Sequence, residues 1–117
     1  NEIDVVGSDG GATSHFLGSW AALCEAPPGA AIRLHHEDSV THRVHPQEGE
    51  REFAMRSGGE FSVFALTPCR SVHLHGARWA MDGAPLTLST EGLHNIASGE
   101  SVRVKADGVL VVIVPQN

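Results

Sequence analysis

Histidine is the residue type in this chain with the greatest capacity for chemistry, and it occurs eight times in 117 residues. His73 and His75 are two positions apart in a segment that alternates like a strand, so both rings should leave the same face and could bind one ion. His94 or Glu91, from another strand or loop, could complete a set of ligands with positions left open for a substrate. Imidazole nitrogen and carboxylate oxygen together suit a divalent transition metal: Zn, Fe, Mn, Ni or Cu.

The same histidines could instead face water or sense pH. His73 and His75 share their predicted strand face with Ser71. Val72 and Leu74 point the other way, which is the pattern of a polar stripe facing water. Clustered histidines could also sense pH, because imidazole titrates near neutrality. The sequence therefore leaves a metal site, a solvent-facing stripe and a pH sensor as alternatives, and it establishes no cofactor.

Two segments resemble the motifs of cupins, small β-barrels that carry a histidine pair, a glutamate and a further histidine downstream. Pro28-Gly29 followed by His35-His36 is similar to the opening of the first cupin motif, and EGLHN at 91–95 is similar to the second. The paired histidines are adjacent here, so on a strand they would point to opposite faces. The resemblance implies a cupin-like barrel with a histidine-based site, in a metal-dependent small-molecule enzyme or a sensor.

Other residue types give weaker signals. Neither a GxSxG elbow nor a Walker-type phosphate loop occurs in the sequence. Cys24 and Cys69 could form one disulfide in an exported protein or remain as two buried thiols. Trp20 and Trp79 are interpreted as core anchors, because aromatic residues make up only 5% of the chain.

One short helix and a series of strands must position these residues. Residues 1–13 are expected to form a lead-in, either a frayed terminus or a short edge strand. A helix that Ser14 can cap should end before Pro27, because apolar residues recur at helical spacing between them. Nine later segments have strand character, separated by Gly, Pro and Asp turns such as Asp82-Gly83. They are 31–34, 40–44, 50–56, 61–66, 70–75, 78–81, 86–88, 102–105 and 109–114.

This pattern predicts an all-β fold: a small antiparallel β-sandwich or barrel of eight to nine strands in a single domain at 14–117, with one short N-terminal helix. The apolar run at 109–114 should be a central strand buried on both faces. Similar residue orders at 20–68 and 79–115 suggest two halves related by a pseudo-two-fold axis.

Charge and composition limit the partners. A net charge of −6 without a basic patch argues against nucleic acid, and no apolar run approaches the roughly 20 residues of a membrane span. Because no catalytic set has convincing spacing, the sequence favours a non-catalytic binding or assembly domain that contacts other proteins or copies of itself. It leaves the question of an enzyme open and the cellular compartment undetermined.

Overall fold

A computed structural model describes residues 2–6 and 13–116. Within them lie ten strands, one α-helix and a 3-10 turn at Pro46–Glu48. The helix, α1, spans Thr13–Glu25. The strands are β1 (Glu2–Val5), β2 (Ala31–His35), β3 (Ser39–Val44), β4 (Arg51–Ala54), β5 (Glu60–Ala65), β6 (Cys69–His75), β7 (Met81–Leu86), β8 (Asn95–Ile96), β9 (Ser101–Ala106) and β10 (Leu110–Pro115).

The strands form two sheets. One has the order β1-β2-β3-β10-β5-β8 and the other the order β4-β9-β6-β7. The pairings within them are antiparallel, except that β1 and β2 are parallel and are joined through α1. The predicted all-β architecture is therefore confirmed, with ten strands in place of eight or nine and with one parallel pair.

The main core lies between the two sheets. Strand β5 shows how the sequence builds it: Phe61, Val63 and Ala65 are buried, whereas the alternate residues are more exposed. Period-two alternation puts these side chains on the inner face. Each buried aliphatic or aromatic side chain contributes about 1.5–3 kcal/mol relative to an exposed one. The opposing strands β6 and β9 contribute the same kind of residue, namely Val72, Leu74, Val102 and Val104.

Strand β10 is buried on both faces, as its unbroken apolar run predicted. It pairs with β3 on one side and with β5 on the other. Leu110 and Val112 belong to the core between the sheets, whereas Val111 packs with Leu23 of α1 and Leu34 of β2 in a second, smaller core. The helix therefore covers the outer face of the six-stranded sheet.

A buried arginine fixes the end of this helix. Arg43 on β3 has no exposed surface, and its guanidinium donates to the backbone carbonyls of Leu23, Ala26, Pro27 and Ala30. The last carbonyls of a helix have no partner within it and carry its negative dipole end. Arg43 thus satisfies the helix C-terminus and ties it to the sheet.

Several local predictions were wrong or incomplete. Asp82-Gly83, interpreted as a turn, lies inside β7, and the short β8 was not predicted. Ser14, the expected helix cap, lies within the helix. Of the lead-in at 1–13, β1 is the short edge strand of the prediction, Thr13 begins α1, and residues 1 and 7–12 lie outside the described part of the chain.

The suggested repeat of 20–68 and 79–115 stays a prediction. Its equivalent tryptophans have different settings, Trp20 within α1 and Trp79 in the segment before β7. In the residues that the structure describes, the helix is too short and too polar to cross a membrane.

Candidate functional site

A cleft of about 460 Å³ opens at one edge of the sandwich, between β7 and the segment that leads into β8. Its walls come mainly from β7 and the two residues before it, and from residues 91–95. Val63 and Leu74 lie at its base, where they belong to the main core. The remaining lining residues are Trp79, Ala80, Met81, Ala84, Pro85, Leu86, Glu91, Gly92 and Asn95.

Trp79 provides an aromatic surface at the mouth of this cleft. Its side chain is unusually accessible for a tryptophan, with 57% of the residue exposed. The guanidinium carbon of Arg78 lies 5.1 Å from the indole centroid, which is within the range of a cation–π contact. The prediction that Trp79 anchors the core is therefore wrong: the residue is largely exposed and lines the cleft, with the Arg78 guanidinium against its ring.

A buried amide holds the backbone of Trp79 in place. Asn95 is only 4% exposed, and its Nδ2 donates to the Trp79 carbonyl at 2.9 Å. The Trp79 amide in turn donates to Asn95 Oδ1 at 3.2 Å, and the Ile96 amide donates to the same oxygen at 2.8 Å. Because both ends of the Asn95 side chain are satisfied, it fixes the backbone of Trp79 and leaves no buried polar group of its own unpaired. Asn95 is thus a positioning residue for Trp79.

The segment before β8 has a constrained backbone. A Cβ at Gly92 would lie 2.1 Å from the carbonyl oxygen of Val63, so only glycine fits there without displacement. His94 adopts φ 59°, and its amide donates to Ser62 Oγ. A non-glycine residue in this left-handed region costs free energy and is enriched at functional sites. These two residues set the wall that carries Glu91.

The cleft combines apolar walls, one exposed indole face and one carboxylate, that of Glu91. Apolar walls with few polar groups are typical of small-molecule sites. An indole face and a carboxylate both attract positive charge. This arrangement can bind a flat organic cation.

The four histidine and glutamate residues predicted as metal ligands fall in two places. Glu91 lines the cleft, and His94 Nδ1 lies 2.7 Å from Glu60 Oε1. His73 and His75 lie together on β6, as predicted, but on the outer face of the four-stranded sheet, where Asp82 joins them. The metal set predicted from His73, His75, His94 and Glu91 stays a prediction, and the described residues bring only its first two members together.

The two cysteines and His42 are also chemically active residue types, but their surroundings make them unreactive. Cys69 and Cys24 are both free thiols. Burial raises the pKa of each thiol, so neither is activated as a nucleophile. His42 packs against the ring of Phe53 with centroids 4.9 Å apart, and burial lowers its pKa to about 4. His42 is therefore neutral at physiological pH.

Sequence reasoning missed Trp79 and Asn95 as site residues. The sequence gives no clear signal that Asn95 is buried, because only Ile96 and Ala97 follow it before Ser98 and Gly99. An asparagine there has to be satisfied if it is buried, and the structure shows that its partner is the backbone of Trp79.

Solved structures of thiamine pyrophosphokinases are similar to this fold. The match to the enzyme from Bacillus subtilis covers 99% of this chain and 56% of the enzyme's chain, with a TM-score of 0.84 and 21% sequence identity. The match to the enzyme from Geobacillus thermodenitrificans covers 100% of this chain and 55% of the enzyme's chain, with a TM-score of 0.79 and 18% sequence identity. The enzyme from Candida albicans matches 99% and 44%, with a TM-score of 0.77 and 15% identity. The chain spans about half the length of these enzymes. No protein-family model and no curated protein sequence matches it.

These likenesses correct the function predicted from the sequence. The fold is one found in enzymes, so the prediction of a non-catalytic binding or assembly domain, built around protein–protein contacts, is wrong. The cupin-like alternative is also wrong, because the fold is that of the thiamine pyrophosphokinase structures. A protein partner or self-association, and the absence of nucleic-acid and membrane partners, stay predictions.

Proposed function

We propose that this chain is the β-sandwich part of a thiamine pyrophosphokinase-like enzyme and that the Trp79 cleft binds thiamine. The observation that carries the proposal is the superposition of 99% of the chain on the Bacillus subtilis thiamine pyrophosphokinase, at a TM-score of 0.84. The cleft supports it independently, since its chemistry suits a flat cationic ligand.

Thiamine has the properties that the cleft selects. It consists of an aminopyrimidine ring joined to a thiazolium ring with a permanent positive charge. One ring would stack on the face of Trp79 that Arg78 does not cover, or would displace the guanidinium, and the Glu91 carboxylate can lie near the thiazolium charge. The side chains of Met81 and Pro85 would cover the apolar edges of the rings.

The role of these residues is to bind and orient. In pyrophosphorylation, the hydroxyethyl oxygen of thiamine attacks the β-phosphorus of a nucleoside triphosphate and loses its proton to a base or to water. The bond from that phosphorus to the oxygen bridging it to the α-phosphate breaks, and nucleoside monophosphate leaves, so thiamine itself supplies the nucleophile. The protein therefore has to hold the rings and leave that arm free, and holding a reactant in the correct geometry lowers the barrier. Asn95 contributes by fixing the backbone that carries the indole.

Calorimetric titration of the protein with thiamine tests the proposal. Trp79→Ala should weaken binding by about five- to thirtyfold, which corresponds to the roughly 1–2 kcal/mol of a cation–π contact. Trp79→Phe should retain part of the affinity, because a smaller aromatic face remains. Glu91→Gln should weaken thiamine more than an uncharged analogue of the same shape.

Glu52→Gln is the matched control, since it removes a carboxylate from β4, outside the cleft. It should leave thiamine affinity unchanged. Loss of affinity in Trp79→Ala and Glu91→Gln, but not in Glu52→Gln, supports the proposal. No binding of millimolar thiamine to the wild-type protein overturns it, and equal affinities for Trp79→Ala and wild type would show that thiamine does not bind in this cleft.

A further inference from the structure

A second cluster of chemically active side chains lies on the outer face of the four-stranded sheet. His73 and His75 project from β6, and Asp82 projects from the adjacent strand β7, where it is the direct partner of His73. This face is opposite to the one that lines the cleft, because Leu74 and Met81 point inward there. The cluster is thus separate from the proposed thiamine site.

We propose that His73, His75 and Asp82 form a binding site for one divalent transition-metal ion. One nitrogen from each imidazole and one carboxylate oxygen lie within 4.8 Å of one another. His73 Nδ1 and Asp82 Oδ1 are 3.6 Å apart. Two ligand atoms at about 2.0–2.1 Å from a tetrahedral ion are roughly 3.3 Å apart, so His73 and Asp82 need only a small closure and the set as a whole would have to contract from its 4.8 Å spread.

The backbone supports this arrangement. The pairing of β6 with β7 shifts register between Val72 and His73, which aligns Asp82 with His73. Bulges of this kind redirect side chains and are enriched next to functional sites. Asp82 is 93% exposed, so its carboxylate can rotate toward the two rings with no loss of packing.

His73 also has an outer partner of the type that metal ligands use. Its Nε2 lies 3.4 Å from Ser71 Oγ, on the side of the ring away from the Nδ1 that faces Asp82. A ligating histidine usually hydrogen-bonds through its second nitrogen, which fixes the tautomer and the ring orientation. In the tautomer with the proton on Nε2, that nitrogen would donate to Ser71 Oγ and leave the Nδ1 lone pair for the ion.

The neighbouring charges determine which ions fit. Lys105 and Arg103 of β9 lie opposite His73 and His75. Their positive charges repel a metal ion that binds only through electrostatic attraction. Imidazole ligands favour Zn²⁺, Ni²⁺ and Cu²⁺, whereas Mg²⁺ and Ca²⁺ prefer oxygen. The site should therefore discriminate strongly between these two groups of ions. Three protein ligands also leave at least one coordination position open.

Competition with a chromophoric chelator tests the proposal on untagged wild-type protein, with Zn²⁺ and Ni²⁺ as probes and Mg²⁺ as the comparison. We expect one Zn²⁺ per chain and no displacement by equimolar Mg²⁺. His73→Ala and His75→Ala should each weaken Zn²⁺ by at least about a hundredfold. Ser71→Ala should weaken it by about tenfold, the effect usual for an outer partner. The visible absorption of bound Co²⁺ should disappear in Asp82→Asn.

His15→Gln is the matched control, because it removes an exposed histidine on α1, outside both the four-stranded sheet and the residues that line the cleft. Zn²⁺ affinity should be unchanged in it. Equal Zn²⁺ affinity in wild type, His73→Ala and His75→Ala overturns the proposal, as does the absence of binding at a large excess of Zn²⁺. Circular dichroism confirms that each variant is folded, and thiamine titration of the same variants separates failure of this site from failure of the cleft.

Discussion

The depressed pKa of His42 makes a direct prediction about stability. The ring lies on β3 against Phe53, and burial is the largest cause that lowers its pKa from 6.5 to about 4. The positive charges of Arg33 and Arg51 lower it further. Protonation therefore favours the unfolded chain, in which the imidazole is fully hydrated. The stabilisation that His42 provides is complete above pH 6.5 and is lost as the pH falls from 6.5 toward 4.

The size of the effect follows from the two pKa values. At pH 5, nearly every unfolded chain carries a proton on His42, whereas about one folded chain in ten does. The corresponding loss of unfolding free energy, relative to neutral pH, is about 2 kcal/mol. Because the ring retains some contact with water, we expect between about 1 and 2 kcal/mol.

Urea denaturation of the wild-type protein and of His42→Gln, at pH 7.5 and at pH 5, measures this loss. Glutamine keeps a polar side chain but does not titrate in this range. The wild-type protein should lose about 1–2 kcal/mol more than the variant between the two pH values, with the same dependence on urea concentration. His15→Gln, on the exposed N-terminal turn of α1, is the control and should behave as wild type. Parallel losses in wild type and His42→Gln would refute the reasoning.

Two further predictions concern the frame of the molecule. Arg43→Met should lower the free energy of unfolding, measured by urea denaturation, by about 3–5 kcal/mol. The reason is that the substitution removes the buried cation that contacts both the end of α1 and Glu48. A loss below about 1 kcal/mol would contradict this prediction. Gly92→Ala should lower the free energy of unfolding by about 1–3 kcal/mol in the same assay and weaken thiamine binding, because its Cβ would collide with Val63. Gly99→Ala is the control and should have neither effect, since a Cβ there would have no atom within 4 Å. Equal effects of the two substitutions would contradict the steric argument.

Strands with a simple pattern could be predicted from the sequence, and strands that break the pattern could not. The apolar run of β10 and the alternation of β6 appear in the structure as expected, and the segment predicted as a strand at 102–105 lies within β9. Strand β7 was divided by a false turn, because Asp82, Gly83 and Pro85 are all turn residues. As β7 is the edge strand of its sheet, it tolerates a proline, and Gly83 absorbs a positive φ of 76°. Strand β8 has only two residues, too few for any periodicity.

The same limit applies to the candidate sites. The two-residue spacing of His73 and His75 was enough to predict that their rings share a face, since that follows from the pleat of one strand. Their third partner could not be predicted, because Asp82 reaches them through a register shift between two strands. Trp79 was interpreted as core, since the sequence does not show that its backbone is tied to Asn95 at the mouth of a cleft.

The alternation of β6 and β7 also explains how two sites can use the same pair of strands. Leu74 and Met81 face the cleft, whereas His73 and Asp82 face outward, so neighbouring positions along each strand belong to different sites. A polar substitution on the outer face changes no residue that lines the cleft. Removal of the metal ligands should therefore leave thiamine binding intact, and removal of the Trp79 indole should leave Zn²⁺ binding intact. The two proposals can therefore be tested independently, because adjacent side chains on a strand point to opposite faces.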